Sequence, residues 1–380
     1  DIDEELLRRA KKKGFSDLQI AGLAGCSESE ARDKRKRLSI EPVIKQIDTL
    51  AAEYPAQTNY LYLTYNGTDD DIELTSKDSV AVIGGGPYRI GSSVEFDWCC
   101  VNSILTLSDL GYSTVMINCN PETVSTDYDI CDRLYFEELT LERVLDICEK
   151  ESPAGVIVSM GGQIPNNMAA ALSDAGVAVR GTSPDDINRA ENRHVFSRLL
   201  DELGIVQPPW KELTDIEEVE EFAERIGYPV LIRPSFVLSG AAMSVALNRD
   251  ELADYLEKAS DVNRDHPVVI TKFMTGAKEI DIDAVGMEGE LYCYAISDHV
   301  ENAGVHSVDA TLVLPPQRTY LETMRKIKTI ARKIARALNI TGPFNIQFLA
   351  VNNDVSVIEC NLRASRSFPF VSKVFRMNFI

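Results

Sequence analysis

The sequence predicts a multidomain protein in which an α/β region and an α+β region follow an N-terminal helical segment. The chain has 380 residues, which is more than one ordinary domain holds. Between about 79 and 190, β-branched runs such as 79–83 alternate with helical patterns, as expected for a parallel sheet. After 190, strand patterns outnumber helical ones, so we expect an α+β region there.

Helices are predicted over most of residues 1–50, where Ser27 and Glu30 form a capping box. Residues 55–78 contain the turn signal Asn66-Gly67 and are interpreted as a linker. The remaining elements follow from apolar periodicity. Predicted helices are 101–110, 141–150, 191–204 and 214–226, and predicted strands are 115–117, 155–158, 229–233, 268–270, 279–285, 291–296, 345–349 and 355–359.

The composition argues against several classes of protein. The formal net charge of −20 does not suit binding to duplex nucleic acid through clustered Lys and Arg. We therefore expect no nucleic-acid partner. No apolar run approaches the roughly 20 residues that span a bilayer, so we also expect no membrane association. Eight Cys without a CxxC pair predict the reduced thiols of a cytosolic protein, and four His make a His-rich metal site unexpected. Because the chain begins with Asp rather than Met, we expect a piece of a longer protein.

Three polar or glycine-rich segments follow predicted strands of the α/β region, at 84–91, 118–127 and 160–163. The first lacks the G-x-G-x-x-G spacing of a dinucleotide site. A tight strand-to-helix turn and a substrate-positioning loop are equal alternatives for it. Loops at the carboxyl ends of strands bind ligands in open α/β sheets, and for the other two segments the residues alone leave function and structure open.

One segment of the α+β region has the pattern of a loop that closes over phosphates. Arg233 ends a predicted strand, and small residues follow at 239–242. Small side chains let backbone N–H groups approach phosphate oxygens. Small-residue loops are common, so this pattern alone leaves an ordinary loop as the alternative.

The segment 359–363 gives the strongest chemical signal in the sequence. Glu359 and Asn361 point to one face of a predicted strand, and Gln347 lies in the neighbouring run. Their oxygens are ligands that Mg²⁺ accepts beside water and phosphate. Arg363 and Arg366 follow and supply positive charge for a transferring phosphoryl group. The alternative is a surface acid whose neighbours satisfy it.

Five blocks of the sequence resemble the large chain of carbamoyl-phosphate synthetases. They are, in order, 86–98, 118–127, 161–167, 303–307 and 359–373, and the resemblance covers essentially all 380 residues. The family's large chain contains two homologous halves, of which the first phosphorylates bicarbonate and the second phosphorylates carbamate. The blocks 118–127, 305–307 and 363–370 are similar to the second half, and 57–65 with 86–98 to the eukaryotic pyrimidine-pathway type.

The resemblance implies a domain organisation and an activity. Residues 1–75 would be part of a helical oligomerisation domain with a linker, 76–190 a pre-ATP-grasp α/β domain, and 191–380 a C-terminally truncated ATP-grasp domain. The implied enzyme is a ligase module that phosphorylates carbamate to carbamoyl phosphate. ATP and carbamate are its substrates, and Mg²⁺ or Mn²⁺, together with K⁺, are its implied cofactors.

The resemblance also assigns roles to individual residues. Arg193 and Arg233 match arginines that bind nucleotide phosphates, and Arg363 matches a catalytic arginine, with Arg366 as a second candidate. The adenine and ribose segment supplies Lys272, Met274 and Glu279. A nucleotide-contacting loop supplies Gly304, Val305, His306 and Ser307. The metal positions are Gln347, Glu359 and Asn361, of which the first two also belong to the nucleotide site.

The implied partners are the first synthetase half and a glutaminase subunit or domain, in a homo-oligomer. The implied location is the cytoplasm, with the mitochondrion as the alternative. Three features depart from the family pattern. Val308 stands where Gly is usual, which would be costly if φ there is positive. Residues 375–377 replace a small-residue turn, and the chain stops at 380, before the family's regulatory domain.

Two alternatives to this function remain. Another ATP-grasp ligase, such as a biotin carboxylase, is disfavoured by the blocks 303–307 and 365–373. A non-catalytic nucleotide-binding or assembly fragment of the same large chain is the second alternative. A hydride-transfer enzyme is disfavoured by the glycine spacing at 84–91.

Overall fold

The computed structural model describes residues 3–74, 78–89, 92–234, 244–262, 268–303 and 310–380. The chain divides into two compact units, one from Asp1 to Pro184 that also includes Ile380, and one from Asp185 to Phe379. In the described ranges, no helix is both long enough and apolar enough to cross a membrane. The domain boundaries at 75/76 and 190/191 remain predictions.

Three short helices begin the first unit, as the sequence predicts. They are α1 (Glu4–Lys12), α2 (Asp17–Ala24) and α3 (Glu28–Arg37). The predicted capping box is confirmed, because Glu30 N–H donates to Ser27 Oγ at 3.2 Å and Ser27 N–H donates to Glu30 Oε2 at 2.8 Å. These two bonds satisfy donors that a helix start leaves open.

The predictions for residues 43–64 are wrong. This part of the chain contains the strands β1 (Val43–Gln46) and β2 (Tyr60–Thr64), which pair antiparallel, rather than the end of a helical segment and a linker. In β2, Leu61 and Leu63 are buried while Tyr62 is exposed, which is the period of a strand. The turn signal Asn66-Gly67 therefore marks the end of a strand.

The strands of the first unit form one sheet. The other strands are β3 (Ser79–Ile83), β4 (Ser113–Asn118), β5 (Arg133–Phe136), β6 (Gly155–Ile157) and β7 (Val179–Arg180). Seven described strands lie in the order β1-β2-β5-β4-β3-β6-β7. From β2 to β7 all neighbours are parallel, which confirms the predicted parallel sheet, and β1 adds an antiparallel edge.

Helices connect these strands, as expected for an α/β sheet. They are α4 (Val94–Asp109), α5 (Leu141–Glu151), α6 (Gln163–Asn167) and α7 (Ala169–Asp174), with a 3₁₀ turn at Val124–Thr126. A buried network of ion pairs joins α5 to the N-terminal helices. Lys11 Nζ lies 2.8 Å from Asp17 Oδ1 and 2.6 Å from Glu142 Oε1, and Arg35 Nη2 lies 2.9 Å from Asp146 Oδ1. This network fixes the N-terminal helices against α5.

A helix that the sequence patterns did not identify, α8 (Pro184–Glu191), precedes α9 (Arg193–Glu202), which confirms the predicted helix at 191–204. Asn192 separates them, because its backbone is extended and its side-chain oxygen accepts hydrogen bonds from the N–H groups of His194 and Val195. This is the geometry of an N-cap. As a result, Arg193 is the first residue of a new helix.

The rest of the second unit combines helices with two sheets. The helices are α10 (Ile216–Ile226), α11 (Arg249–Val262), α12 (Leu321–Ala337) and α13 (Phe368–Phe375). The strands are β8 (Trp210–Leu213), β9 (Val230–Pro234), β10 (Ser244–Ala246), β11 (Val268–Lys272), β12 (Lys278–Met287), β13 (Glu290–Asn302), β14 (Leu312–Val313), β15 (Gly342–Val351) and β16 (Asp354–Asn361).

Both sheets of the second unit are antiparallel, which confirms the predicted α+β region. One has the order β10-β9-β11-β8 and the other β14-β13-β12-β15-β16. The four-stranded sheet packs its apolar residues against α10 and α11 through a core that includes Phe222 and Leu256. The sequence patterns identified neither α11, α12 nor β8.

Candidate active site

Six polar residues lie in two rows on the larger sheet of the second unit. Taken in the order β12, β15, β16, the first row is Asp281, Gln347 and Glu359, and the second is Asp283, Asn345 and Asn361. Residues two apart on a strand share a face, and directly opposed residues have Cβ atoms about 4.5–5.5 Å apart. The two rows therefore form one polar surface across three strands.

The opposite face of the same strands is apolar. Ile282, Ile346 and Phe348 are fully buried there, and α12 packs on this sheet with Ile327 and Ile334 also buried. The alternation along each strand thus separates a packed face from a polar face. This packing makes the polar surface a rigid platform for its side chains.

The predicted metal-binding residues come together at one end of the polar surface. Asn361 Nδ2 donates to Glu359 Oε1 at 2.9 Å, and Gln347 lies directly opposite Glu359. Glu359 is exposed, so this end is open to a ligand. One carboxylate and two amide oxygens suit Mg²⁺, which keeps water and phosphate oxygens as its other ligands. In the part of the chain that the structure describes, no group of three or more His, Cys, Asp or Glu could hold a metal ion.

Arg193 and Arg233 bring positive charge to the same region. The pKa of Arg193 is lowered to about 10, first by burial and then by the charge of Arg233, while Glu359 and Glu212 act in the opposite direction. Arg193 is thus within electrostatic range of both Arg233 and Glu359. An anion bound between the two guanidinium groups would relieve their repulsion.

Arg363 is a third cation beside the same carboxylate. Burial lowers the pKa of Arg363, the charges of Glu359 and Glu191 oppose that change, and Arg366 adds to it. Arg363 Nη1 donates to the backbone oxygen of Ala364 at 3.0 Å, which orients the guanidinium. Although the chain carries a net charge of −20, this site concentrates arginines around one carboxylate.

A cavity of about 480 Å³ lies in the second unit, with residues of both sheets in its walls. Two predicted nucleotide residues, Lys272 and Met274, line it together with Phe273. Lys272 Nζ donates to the backbone oxygens of Gly227 and Tyr228 at 2.8 and 2.9 Å. A mostly apolar cavity with a few fixed polar groups is the usual form of a small-molecule site.

Other predicted nucleotide residues lie elsewhere or outside the described residues. Glu279 is buried on β12, and it is not among the residues that line this cavity. The predicted loop Gly304, Val305, His306 and Ser307 lies outside the described residues. So do Val308 and the predicted closing segment 239–242.

Two buried aspartates behind the metal positions escaped the sequence analysis. Asp283 Oδ1 accepts hydrogen bonds from Asn345 Nδ2 at 2.9 Å and from Ser365 Oγ at 2.6 Å. Burial, followed by the charge of Asp281, raises the pKa of Asp283 to about 6. Asp281 Oδ2 lies 3.1 Å from His299 Nε2, and burial raises the pKa of Asp281 despite that contact. The available signal was the spacing of Asp281 and Asp283, which are two residues apart in a predicted strand and therefore lie on one face of it.

The glycine-rich and polar segments of the first unit make tight structural contacts. Asn118 Oδ1 accepts from the N–H groups of Gly86 and Cys119 at 3.1 and 2.9 Å. A Cβ added at Gly161 would lie 2.5 Å from the backbone oxygens of Ile83 and Gly84. These contacts favour the structural alternative, a close approach of strand-end turns, for 84–86 and 161.

Comparison with known families identifies three consecutive segments of the chain. Residues 1–39 match the oligomerisation domain of the carbamoyl-phosphate synthetase large chain. Residues 76–189 match the carbamoyl phosphate synthase preATP-grasp domain. Residues 192–379 match the ATP binding domain of the carbamoyl-phosphate synthase L chain.

Several well-described proteins are similar over the whole chain. The mitochondrial carbamoyl-phosphate synthase [ammonia] of Mus musculus is 58% identical over 379 residues, which are 100% of this chain and 25% of that protein. The multifunctional protein pyrABCN of Emericella nidulans is 59% identical over 100% of this chain and 17% of that protein. The mitochondrial arginine-specific carbamoyl phosphate synthase large chain of Schizosaccharomyces pombe is 56% identical, with 100% and 33% covered. The chain thus spans a third or less of each of these relatives.

Solved structures share the fold at low sequence identity. The biotin carboxylase domain of Hydrogenobacter thermophilus 2-oxoglutarate carboxylase, solved with MgADP and bicarbonate, is 19% identical with a TM-score of 0.62, covering 78% of this chain and 66% of that one. The ADP complex of N5-carboxyaminoimidazole ribonucleotide synthetase is 14% identical with a TM-score of 0.59, covering 78% and 73%. These likenesses concern the fold alone. The family matches and the sequence identities of 56–59% over the whole of this chain separate it from biotin carboxylases. The predicted fold class is confirmed, and the chain belongs to the carbamoyl-phosphate synthetase large-chain family.

Proposed function

We propose that the chain phosphorylates carbamate with ATP to give carbamoyl phosphate, the second ATP-using step of carbamoyl-phosphate synthesis. The observation that carries this proposal is the set of Arg193 and Arg363 near Glu359, with Arg233 near Arg193. A polyphosphate chain requires such a concentration of cations beside a metal position. The similarity of blocks 118–127, 305–307 and 363–370 to the family's second half supports the carbamate step.

The nucleotide would lie with its base in the cavity lined by Lys272 and Met274. Its phosphates would extend toward Arg193 and Arg233, whose mutual repulsion an anion relieves. Gln347, Glu359 and Asn361 would hold Mg²⁺, which neutralises phosphate charge. The set of one carboxylate and two amides at this position fits that ion.

The reaction itself asks little covalent chemistry of the protein. A carbamate oxygen attacks the γ-phosphorus, the bond to the β–γ bridging oxygen breaks, and ADP departs with that electron pair. Arg363, oriented by its bond to Ala364, stabilises negative charge on the transferring group, and Arg366 is the second cation. Positioning and electrostatics therefore supply most of the rate enhancement.

The setting of this activity is also part of the proposal. A relative named as a multifunctional protein and one named as a mitochondrial synthase are about equally similar, at 59% and 58% identity. We favour a cytoplasmic pyrimidine-pathway protein that works with a first synthetase half and a glutaminase and assembles into a homo-oligomer. K⁺ dependence is proposed from the family resemblance, and replacing KCl by NaCl in the assay tests it.

The reverse reaction tests the proposed activity. The purified chain is mixed with carbamoyl phosphate, ADP and Mg²⁺, and ATP is measured with a coupled enzyme. Glu359→Gln removes the carboxylate at the metal position, so we expect ATP from the parent chain and none from this variant. Glu290→Gln is the matched control, since Glu290 forms an exposed ion pair with Arg336. Binding of ADP without ATP formation would favour the non-catalytic alternative.

A further inference from the structure

An aromatic ring holds the guanidinium of Arg193. The Arg193 Cζ lies 4.6 Å from the centroid of the Trp210 ring. Arg193 Nη2 donates to Thr271 Oγ1 at 3.4 Å, and Thr271 is the cross-strand partner of Trp210. Arg193 Nε is buried and has no hydrogen-bond partner among the described residues. The ring and one hydroxyl thus hold this guanidinium.

The indole of Trp210 is itself fixed by the helix that carries Arg193. Trp210 Nε1 donates to Ser197 Oγ at 3.2 Å, and the ring lies against His194 with the two centroids 4.9 Å apart. His194 Nε2 in turn lies 2.9 Å from Glu212 Oε2, a residue of the same strand as Trp210. The first turns of α9 and the strand β8 therefore form one interlocked unit around the guanidinium.

An aromatic face suits a cation that must bind a ligand anion. A carboxylate partner would neutralise the guanidinium and compete with phosphate oxygens, whereas the ring quadrupole attracts the cation without neutralising it. Burial and the neighbouring Arg233 oppose the charge on Arg193, whereas Glu359 and Glu212 favour it. The ring adds a further attraction for the cation where burial excludes solvent.

We propose that Trp210 is a positioning residue that holds Arg193 by a cation–π contact in the orientation that binds the nucleotide phosphates. This inference rests on the proposed function, in which Arg193 contacts those phosphates. Trp210 acts through Arg193 and does not itself touch the nucleotide phosphates. Loss of the ring should therefore weaken nucleotide binding only while Arg193 is present.

A double-mutant cycle tests the proposal with MgADP as the probe and calorimetry as the measurement. Trp210→Leu should weaken MgADP binding roughly tenfold, equal to about 1.4 kcal/mol, and Trp210→Phe should stay within about threefold because it keeps a π face. In an Arg193→Met background, Trp210→Leu should change binding by less than about twofold, since the two residues act as one unit. Trp98→Phe is the matched control, because the chain contains two Trp and Trp98 lies in the first unit.

The outcomes separate this inference from the proposed function. If the parent chain does not bind MgADP, both fall together. If the parent binds MgADP and Arg193→Met weakens binding, but Trp210→Leu has no effect or an effect that simply adds to that of Arg193→Met, the positioning role alone is wrong. Equal losses of MgADP affinity in Trp210→Phe and Trp210→Leu would also overturn the positioning role.

A fluorescence measurement covers the case in which Trp210→Leu fails to fold. In the Trp98→Phe chain, Trp210 is the one remaining tryptophan. Phosphates that bind Arg193 should change the fluorescence emission of Trp210, because they alter the charge next to the indole ring. Saturating MgADP that leaves this emission unchanged would contradict the proposal.

Discussion

Asp283→Asn should make the free energy of unfolding less dependent on pH in the acid range. The Asp283 side chain is fully buried, and its pKa is raised to about 6 from an ordinary value of 3.8, first by burial and then by Asp281. The folded state therefore binds this proton more tightly than the unfolded state. Its contribution to stability is fully present below pH 3.8 and is lost as the pH rises through about 6.

The expected size follows from the shift. About two pKa units correspond to about 3 kcal/mol. The difference in unfolding free energy between the parent and Asp283→Asn should thus fall by about that amount between pH 4 and pH 7. Urea unfolding followed by Trp210 fluorescence in a Trp98→Phe background measures it, because Trp210 and Asp283 belong to the same unit.

Ser365→Ala provides the matched comparison. The Ser365 hydroxyl donates to Asp283 at 2.6 Å and favours the ionised carboxylate. Its removal should raise the pKa further and move the pH-dependent window upward. A difference in unfolding free energy between the parent and Asp283→Asn that is constant with pH, or that grows as the pH rises, would show that folding does not raise the pKa of Asp283.

Two further predictions concern the first unit. Lys11→Met leaves the buried carboxylates of Asp17 and Glu142 without their ammonium partner, so chemical denaturation should show a loss of about 3–5 kcal/mol. Lys36→Met, which breaks an exposed pair, should lose less than about 1 kcal/mol, and equal losses would contradict the network's role. Gly161→Ala places a Cβ 2.5 Å from two backbone oxygens and should lower the melting temperature. The control Gly22→Ala, in the interior of α2 with open space around it, should leave that temperature unchanged or raise it, and a melting temperature unaffected by Gly161→Ala would show that the turns can separate.

The sequence predicted the parallel sheet and the metal positions because both depend on local patterns. Nearly continuous apolar runs such as β3 are typical of strands buried on both faces. Glu359 and Asn361 could be placed on one face because a strand has a period of two. Gln347 could be placed beside them because its run lies next along the chain, and the register confirms that Gln347 faces Glu359.

The remaining features depend on contacts between distant parts of the chain. Asp283 is held by Asn345 and Ser365, which lie 62 and 82 residues away. Its spacing from Asp281 could therefore place it on the polar face of a strand, but could not show that it is buried there. Strand β2 was mistaken for a linker because its alternation of buried and exposed residues is only five residues long and the turn signal Asn66-Gly67 follows it closely. Helix α12 was missed although its buried Ile327, Ala331 and Ile334 have helical spacing.

In the proposed reaction, carbamate rather than bicarbonate accepts the phosphoryl group. The most direct measurement supplies the chain with MgATP and either ammonium carbamate or bicarbonate alone, and follows the ³¹P signal of carbamoyl phosphate. We expect carbamoyl phosphate to form with carbamate and to be absent with bicarbonate alone. Arg363→Ala should lower its rate of formation by at least about 10²-fold. ADP release that depends on bicarbonate and is indifferent to carbamate would contradict it.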